Sequence, residues 1–218
     1  MANVLLINPN THQALTDKAV NEARSVAHSS WDIQGFTPHL GVLAIESEDD
    51  ADISTKACLS ELGDDPGHWD GVIVACYSAH PLVEQLQSIW QRPVVGIMQA
   101  SWWAAKRMGL TPSIVTSSAG WIPDLQRNLT HAGYDGSVRS IQSSVTAIVE
   151  HPAQASSALE KVVAEESRTD VAICLGCAAM SGLEKTFVAG DVPVIDGVKA
   201  AVQYLAEELS KGSGRVAL

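Results

Sequence analysis

The 218 residues are enough for one α/β domain or two small ones, and 46% hydrophobic residues supply a core, which excludes a disordered chain. A net charge of -11 with scattered Lys and Arg argues against a nucleic-acid or anionic-membrane partner. The apolar run after Met1 carries no basic flank and is too short for an export signal or a membrane span, so a cytoplasmic protein with four reduced cysteines is expected.

Ala2 to Ile7 reads as a buried strand, and Asn8-Pro9-Asn10-Thr11 as the turn into a helix marked by Ala14, Leu15, Ala19, Ala23 and Val26, capped by Asn10 or Thr11. A strand near Trp31 to Phe36 and a helix from after Ser47 to about Leu62 follow. Asp70 then opens the apolar run Gly71-Val72-Ile73-Val74-Ala75, which ends at Cys76. Pro81 suits the first position of the next helix, whose apolar face holds Leu82, Val83, Leu86, Ile89 and Trp90. Pro93 to Ile97 reads as another strand, and Trp102 to Met108 as a helix.

The plan then recurs. Ser113 to Thr116 answers the first strand, the helix from Trp121 to Ala132 answers the first helix, and Ser137 to Ile141 answers the strand at Trp31. A helix from Ala155 to Glu166 leads to Asp170-Val171-Ala172-Ile173-Cys174-Leu175-Gly176-Cys177, the counterpart of the run ending at Cys76. Pro193-Val194-Ile195 answers Pro93-Val94-Val95, and Val198 to Leu209 forms the last helix.

Strands alternating with helices predict an α/β fold of two pseudo-symmetric lobes, each a parallel sheet of right-handed βαβ units. The boundaries expected are 1–98 plus 196–218 for the first lobe and 99–195 for the second. In such sheets ligands bind beyond the carboxyl ends of the strands, so Cys76 and Cys177 are expected to face one another across an interlobe cleft.

A thiolate and a thiol on opposite sides of a carbon acid can remove a proton from one face and return another to the opposite face. The outcome is racemisation or epimerisation beside a carbonyl, with no cofactor and no metal. Donors that could hold the developing enolate and the substrate's polar edge follow the predicted strands: Asn8, Asn10, Thr11, Tyr77, Ser78, His80, Thr116, Ser117, Ser118, Ala178 and Ala179. Cys58 and Cys174 read as buried hydrophobes. Cys174 and Cys177 lie three apart across a strand end, so their sulfurs diverge and form neither a redox pair nor a zinc site. His80 reads equally as a helix cap, and Trp102, Trp103 and Trp121 as core residues or ligand walls.

At Ile7-Asn8-Pro9-Asn10-Thr11, Gly41 with Ile45-Glu46-Ser47, Ala75 to Leu82, Pro93 to Ile97 and Leu175 to Met180, the sequence resembles the Asp/Glu/hydantoin racemase superfamily. Within it the likeness is to the hydantoin and allantoin racemase branch and its fungal members. The resemblance implies an active site between two lobes and cofactor-independent two-base catalysis by Cys76 and Cys177. It also implies substrate contacts from the loop at Asn8 and the hydroxyls near Ser117. Gln99 stands where the branch commonly carries an acidic residue, Ser78-Ala79-His80-Pro81 replaces a Gly-Asp-Pro type of turn, and Val42 follows Gly41 in place of proline. These departures leave the thiol pair intact and the substrate open. Two alternatives use the same scaffold: a decarboxylase or isomerase with enolate chemistry, and a non-catalytic small-molecule-binding protein. The partner expected is a small-molecule substrate, with homo-oligomerisation left open.

Overall fold

The computed structural model describes residues 1–166, 168–186 and 192–213. Residues 214–218 of the expected first-lobe boundary lie outside that range.

Among the described residues, eight strands form two four-stranded sheets, and every strand pairing is parallel. The first sheet contains β1 (Ala2–Ile7), β2 (Trp31–Phe36), β3 (Gly71–Val74) and β4 (Val94–Gly96), in the order β2-β1-β3-β4. The second contains β5 (Thr111–Thr116), β6 (Val138–Ser140), β7 (Val171–Leu175) and β8 (Val194–Ile195), in the same order, β6-β5-β7-β8. The duplication read from the sequence is therefore a duplication of topology. In each sheet the order reverses between the two central strands, β1 with β3 and β5 with β7, which is where open α/β sheets form their binding crevice. The four residues of β3 and the five of β7 are buried throughout, as their continuous apolar runs require.

The helices are α1 (Gln13–Arg24), α2 (Glu48–Leu62), α3 (Pro81–Trp90), α4 (Ile97–Arg107), α5 (Ile122–His131), α6 (Val145–Glu150), α7 (Pro152–Ala164) and α8 (Gly197–Ser213). Besides shifts of a few residues at the ends of α7 and α8, three differ from the sequence reading. Helix α1 starts after His12, because the Asn10 carboxamide turns back to accept the His12 N–H at 3.0 Å and so closes a turn instead of capping the helix. Helix α4 begins directly after Gly96, so Ile97 belongs to the helix and not to β4. Helix α6 was not expected; Ser144 caps it by accepting the Ala147 N–H at 3.1 Å.

Helix α4 packs on β4 and also on β5 and β7 of the second sheet, while α8 packs along α4, α1, β3 and β4. One hydrophobic core consequently runs through both lobes, from Val4, Leu6 and Ile73 to Ile114, Ile173 and Leu175. A second cluster, including Cys58, Leu82, Leu86 and Trp90, lies between the first sheet and the α2 and α3 helices. Trp102 packs edge-on against Tyr134 inside the main core, and Trp103 meets Tyr204 edge-on with the Arg107 guanidinium over its ring. Neither tryptophan reaches the cleft described next. Among the described residues no helix is long and apolar enough to cross a membrane.

Candidate active site

The carboxyl ends of the four central strands open on one cavity of ≈ 60 Å³. Asn8 follows β1, Cys76 stands two residues beyond β3, Ser117 follows β5, and Cys177 stands two residues beyond β7. Ala44 and Ile45, from the loop after β2, and Trp121 and Val145, from the second lobe, complete the walls. The Thr11 N–H donates to the Val42 carbonyl at 3.0 Å, which fastens that loop to the β1 turn. Trp121 also borders a larger hollow of ≈ 230 Å³ lined by Ser78, Glu48, Asp124 and Arg127.

Gly176 sets the reach of Cys177. Its N–H donates to the Val115 carbonyl at 2.8 Å and its carbonyl accepts the Thr116 hydroxyl at 3.0 Å, so the end of β7 lies close against the end of β5. A side chain at this position would run into Ile114 and the Thr116 backbone.

The two sulfurs sit in unequal surroundings. Both cysteines are half-buried, and crowding by protein atoms raises both thiol pKa values, because burial disfavours the charged thiolate. Cys76 is pushed up to about 12: burial dominates, the neighbouring Cys177 raises it further, and only the Ser78 hydroxyl, 3.5 Å away, acts the other way. Cys177 is also raised by burial, but the Ala179 N–H, the Ser117 hydroxyl and the positive charge of Lys18 oppose the shift, with a lesser contribution from the Met180 N–H. The thiolate of the pair is therefore favoured on Cys177 and the proton on Cys76. Cys58 and Cys174, buried and pushed up to about 12, stay thiols; Cys174 lies in the core beside Tyr77 and Ser101.

Asn8 is fully buried, and its Nδ2 donates to Asn10 Oδ1 at 2.7 Å and to the His12 carbonyl at 3.1 Å. Both partners are acceptors, so the orientation of the amide is fixed. Its Oδ1 is buried without a protein partner, on the residue that lines the cleft.

The structure brings Asn8, Asn10, Cys76, Tyr77, Ser117, Cys177 and Ala178 to the cavity wall. The remaining sequence-predicted residues do not line it. Thr11 is spent on Val42, Thr116 on Gly176, and Ser118 on the Gly120 N–H in the 3-10 turn Ala119–Trp121. Ser78 faces the Cys76 sulfur and the adjoining hollow. The Ala179 N–H faces Cys177 from behind, and its carbonyl accepts the Lys18 ammonium. Tyr77 turns its hydroxyl away from the cleft to donate to Ser101 Oγ at 2.9 Å, since the Ser101 hydrogen is given to the Met98 carbonyl. His80 is the cap of α3: Nδ1 accepts the Leu82 N–H at 3.3 Å, Nε2 meets Ser54 Oγ at 3.1 Å, and burial lowers its pKa to about 4, keeping it neutral. Gln99 is exposed on α4, away from the cavity.

Sequence reasoning missed Leu15, Ala44, Ile45 and Val145 in the wall and Lys18 behind it. The signal for Lys18 was a lysine between Leu15 and Ala19 on the apolar face of α1, with Glu22 one turn on.

Two parallel sheets of identical strand order, with thiols at matched strand ends lining one cavity, define a two-lobed α/β fold with a cleft between its sheets. Residues 4–205 match the Asp/Glu/Hydantoin racemase model, and the chain belongs to that family, as a racemase. It is 32% identical over 218 residues to a hydantoin racemase of Rhizobium meliloti, covering 96% of this chain and 90% of that protein. An uncharacterized protein of Schizosaccharomyces pombe is 33% identical over 219 residues, covering 94% of this chain and 91% of its own length. The crystal structure of an allantoin racemase from Pseudomonas fluorescens superposes with a TM-score of 0.84 at 30% identity, over 97% of this chain and 92% of that one.

Proposed function

We propose that the protein inverts an acidic C–H next to a carbonyl in a hydantoin-like or amino-acid-like small molecule, by proton transfer between Cys76 and Cys177 without a cofactor. One observation carries this reading: the two thiols line the same cavity from equivalent positions beyond β3 and β7. The Cys177 thiolate takes the proton from one face of the stereocentre, and the electron pair passes to the adjacent carbonyl as an enolate. The Cys76 thiol then delivers its proton to the opposite face, leaving Cys177 as thiol and Cys76 as thiolate. The reverse reaction, or exchange with water, restores the resting pair. Desolvation suits this chemistry, because a thiolate with a raised pKa is a stronger base toward a weak carbon acid. The unpartnered Asn8 Oδ1 offers an acceptor for a ring or amide N–H, which favours a substrate that carries one. The chemistry of hydantoin and allantoin, the substrates named for its relatives, meets both requirements.

The test is inversion and solvent-deuterium incorporation with each hand of a chiral hydantoin, allantoin and selected amino acids. Cys76→Ala and Cys177→Ala, folded as judged by circular dichroism, are expected to lose inversion. Full inversion by either alanine variant refutes the two-base route, and turnover that depends on one thiol alone points to decarboxylation or isomerisation.

A further inference from the structure

We infer that Lys18 is a positioning residue that steadies the turn carrying Cys177 and, by its charge, makes Cys177 rather than Cys76 the more readily ionised thiol of the pair. This deepens the proton-transfer reading above and rests on it. Lys18 lies on α1, half-buried, and its ammonium donates to the carbonyl of Ala179, in the 3-10 turn Ala178–Met180 that follows Cys177. The same residue's N–H faces the Cys177 sulfur, so one residue, Ala179, links the lysine to the thiol. The contact spans 161 residues and couples the first lobe to the second lobe's half of the site.

The groups around the pair account for its polarity. Cys177 is faced by Lys18 from α1, by Ser117 from beyond β5, by Cys76 from beyond β3, and by N–H groups of its own turn. Among the described residues, Lys18 is the charged group that opposes the rise of the Cys177 pKa, and no cation does the same for Cys76. Burial lowers the Lys18 pKa, and Cys177, Glu22, Asp196 and Glu184 act to keep the ammonium protonated. Those three carboxylates are themselves tied elsewhere. Lys199 bridges Glu22, Glu184 and Asp196, Lys185 binds Glu22 at 2.6 Å, and Asp196 accepts Ser181 Oγ at 2.6 Å. The carboxylates hold the lysines of a packed ion-pair network and leave Lys18 turned to the cysteine turn.

The experiment follows alkylation of each cysteine by iodoacetamide, resolved by peptide mass spectrometry, from about pH 5 to about pH 10 in the full chain. Wild type is compared with Lys18→Gln, which keeps an N–H donor without the charge, with Lys18→Met and with Lys18→Arg. In wild type Cys177 is expected to react at lower pH than Cys76. Removing the charge is expected to slow Cys177 alkylation at neutral pH by about tenfold, the shift produced by one nearby opposite charge, while Cys76 does not slow and Lys18→Arg restores the profile. A Cys177 profile unmoved in folded Lys18→Gln and Lys18→Met overturns the inference and leaves the thiol pair standing. If neither Cys76 nor Cys177 reacts ahead of buried Cys58 and Cys174, both the inference and the thiol-pair reading fall.

Discussion

Replacing Gly176 with alanine asks how finely the strand ends fix the distance between the thiols. A Cβ there would stand 2.6 Å from Ile114 Cγ2 and 3.1 Å from Thr116 Cα and Cβ, where ordinary contact begins near 3.4 Å. The shortest contact must open by about 0.8 Å in a close-packed interior. Ile114 is buried with a branched side chain, and Thr116 opposes the new methyl with its backbone, so the end of β7 has to move. Overpacking of this kind costs about 1–3 kcal/mol. In a chain of this size that lowers Tm by roughly 5 °C. Because Cys177 is the next residue, a displacement approaching 1 Å is expected to cut kcat/KM for inversion by about 10²-fold. Gly120→Ala is the control: its Cβ meets only Ser118 Oγ, at 3.6 Å, and both Tm and rate should stay near wild type. Calorimetry and polarimetry measure the two quantities, and Gly176→Ala with unchanged Tm and unchanged kcat/KM refutes the reasoning.

His80 has a folded pKa of about 4, below the ordinary 6.5, so its contribution to stability is fully present above pH 6.5 and is lost as pH falls toward 4. The loss should be about 3 kcal/mol in urea denaturation, and His80→Gln should flatten that part of the slope; a His80 NMR titration near 6.5 would contradict it. Asn8→Asp sets carboxylate oxygens against Asn10 Oδ1 and the His12 carbonyl, and should cost at least about 2 kcal/mol by chemical denaturation. Asp196→Ala removes the acceptor shared by Ser181 Oγ, Gly182 N–H and Val198 N–H, and should destabilise by about 2 kcal/mol or more, read as a fall in Tm.

The parts of the molecule most legible in the sequence are those with the strongest physical signature. Buried parallel strands are written as unbroken apolar runs, so β3 and β7 stood out, and with them the thiols at their ends. Helix α6 escaped because Val145, Thr146, Ile148 and Val149 carry the β-branched composition of a strand, and burial of Ile148 with the Ser144 cap decides for helix. The start of α4 was hidden inside a continuous apolar stretch, where only the extended backbone of Gly96 marks the change. In the site, residue type was readable and direction was not. A hydroxyl after a strand looks the same in sequence whether it faces the cleft, as Ser117 does, or braces a neighbouring strand, as Thr116 does. Lys18 depends on a carbonyl 161 residues away, a contact that no local pattern encodes.

On the proposed two-thiol route, the unequal surroundings of Cys76 and Cys177 bear on how the two hands of a substrate are handled. Mirror-image molecules with a single stereocentre have the same free energy in water, so the equilibrium constant is one. The specificity constants in the two directions must then be equal, however differently the sulfurs are solvated. A lysine, a serine and a peptide N–H gathered around one thiol cannot bias the final mixture. They can only divide the same overall barrier differently, so that one hand is held more tightly and turned over more slowly, while the other binds loosely and reacts fast.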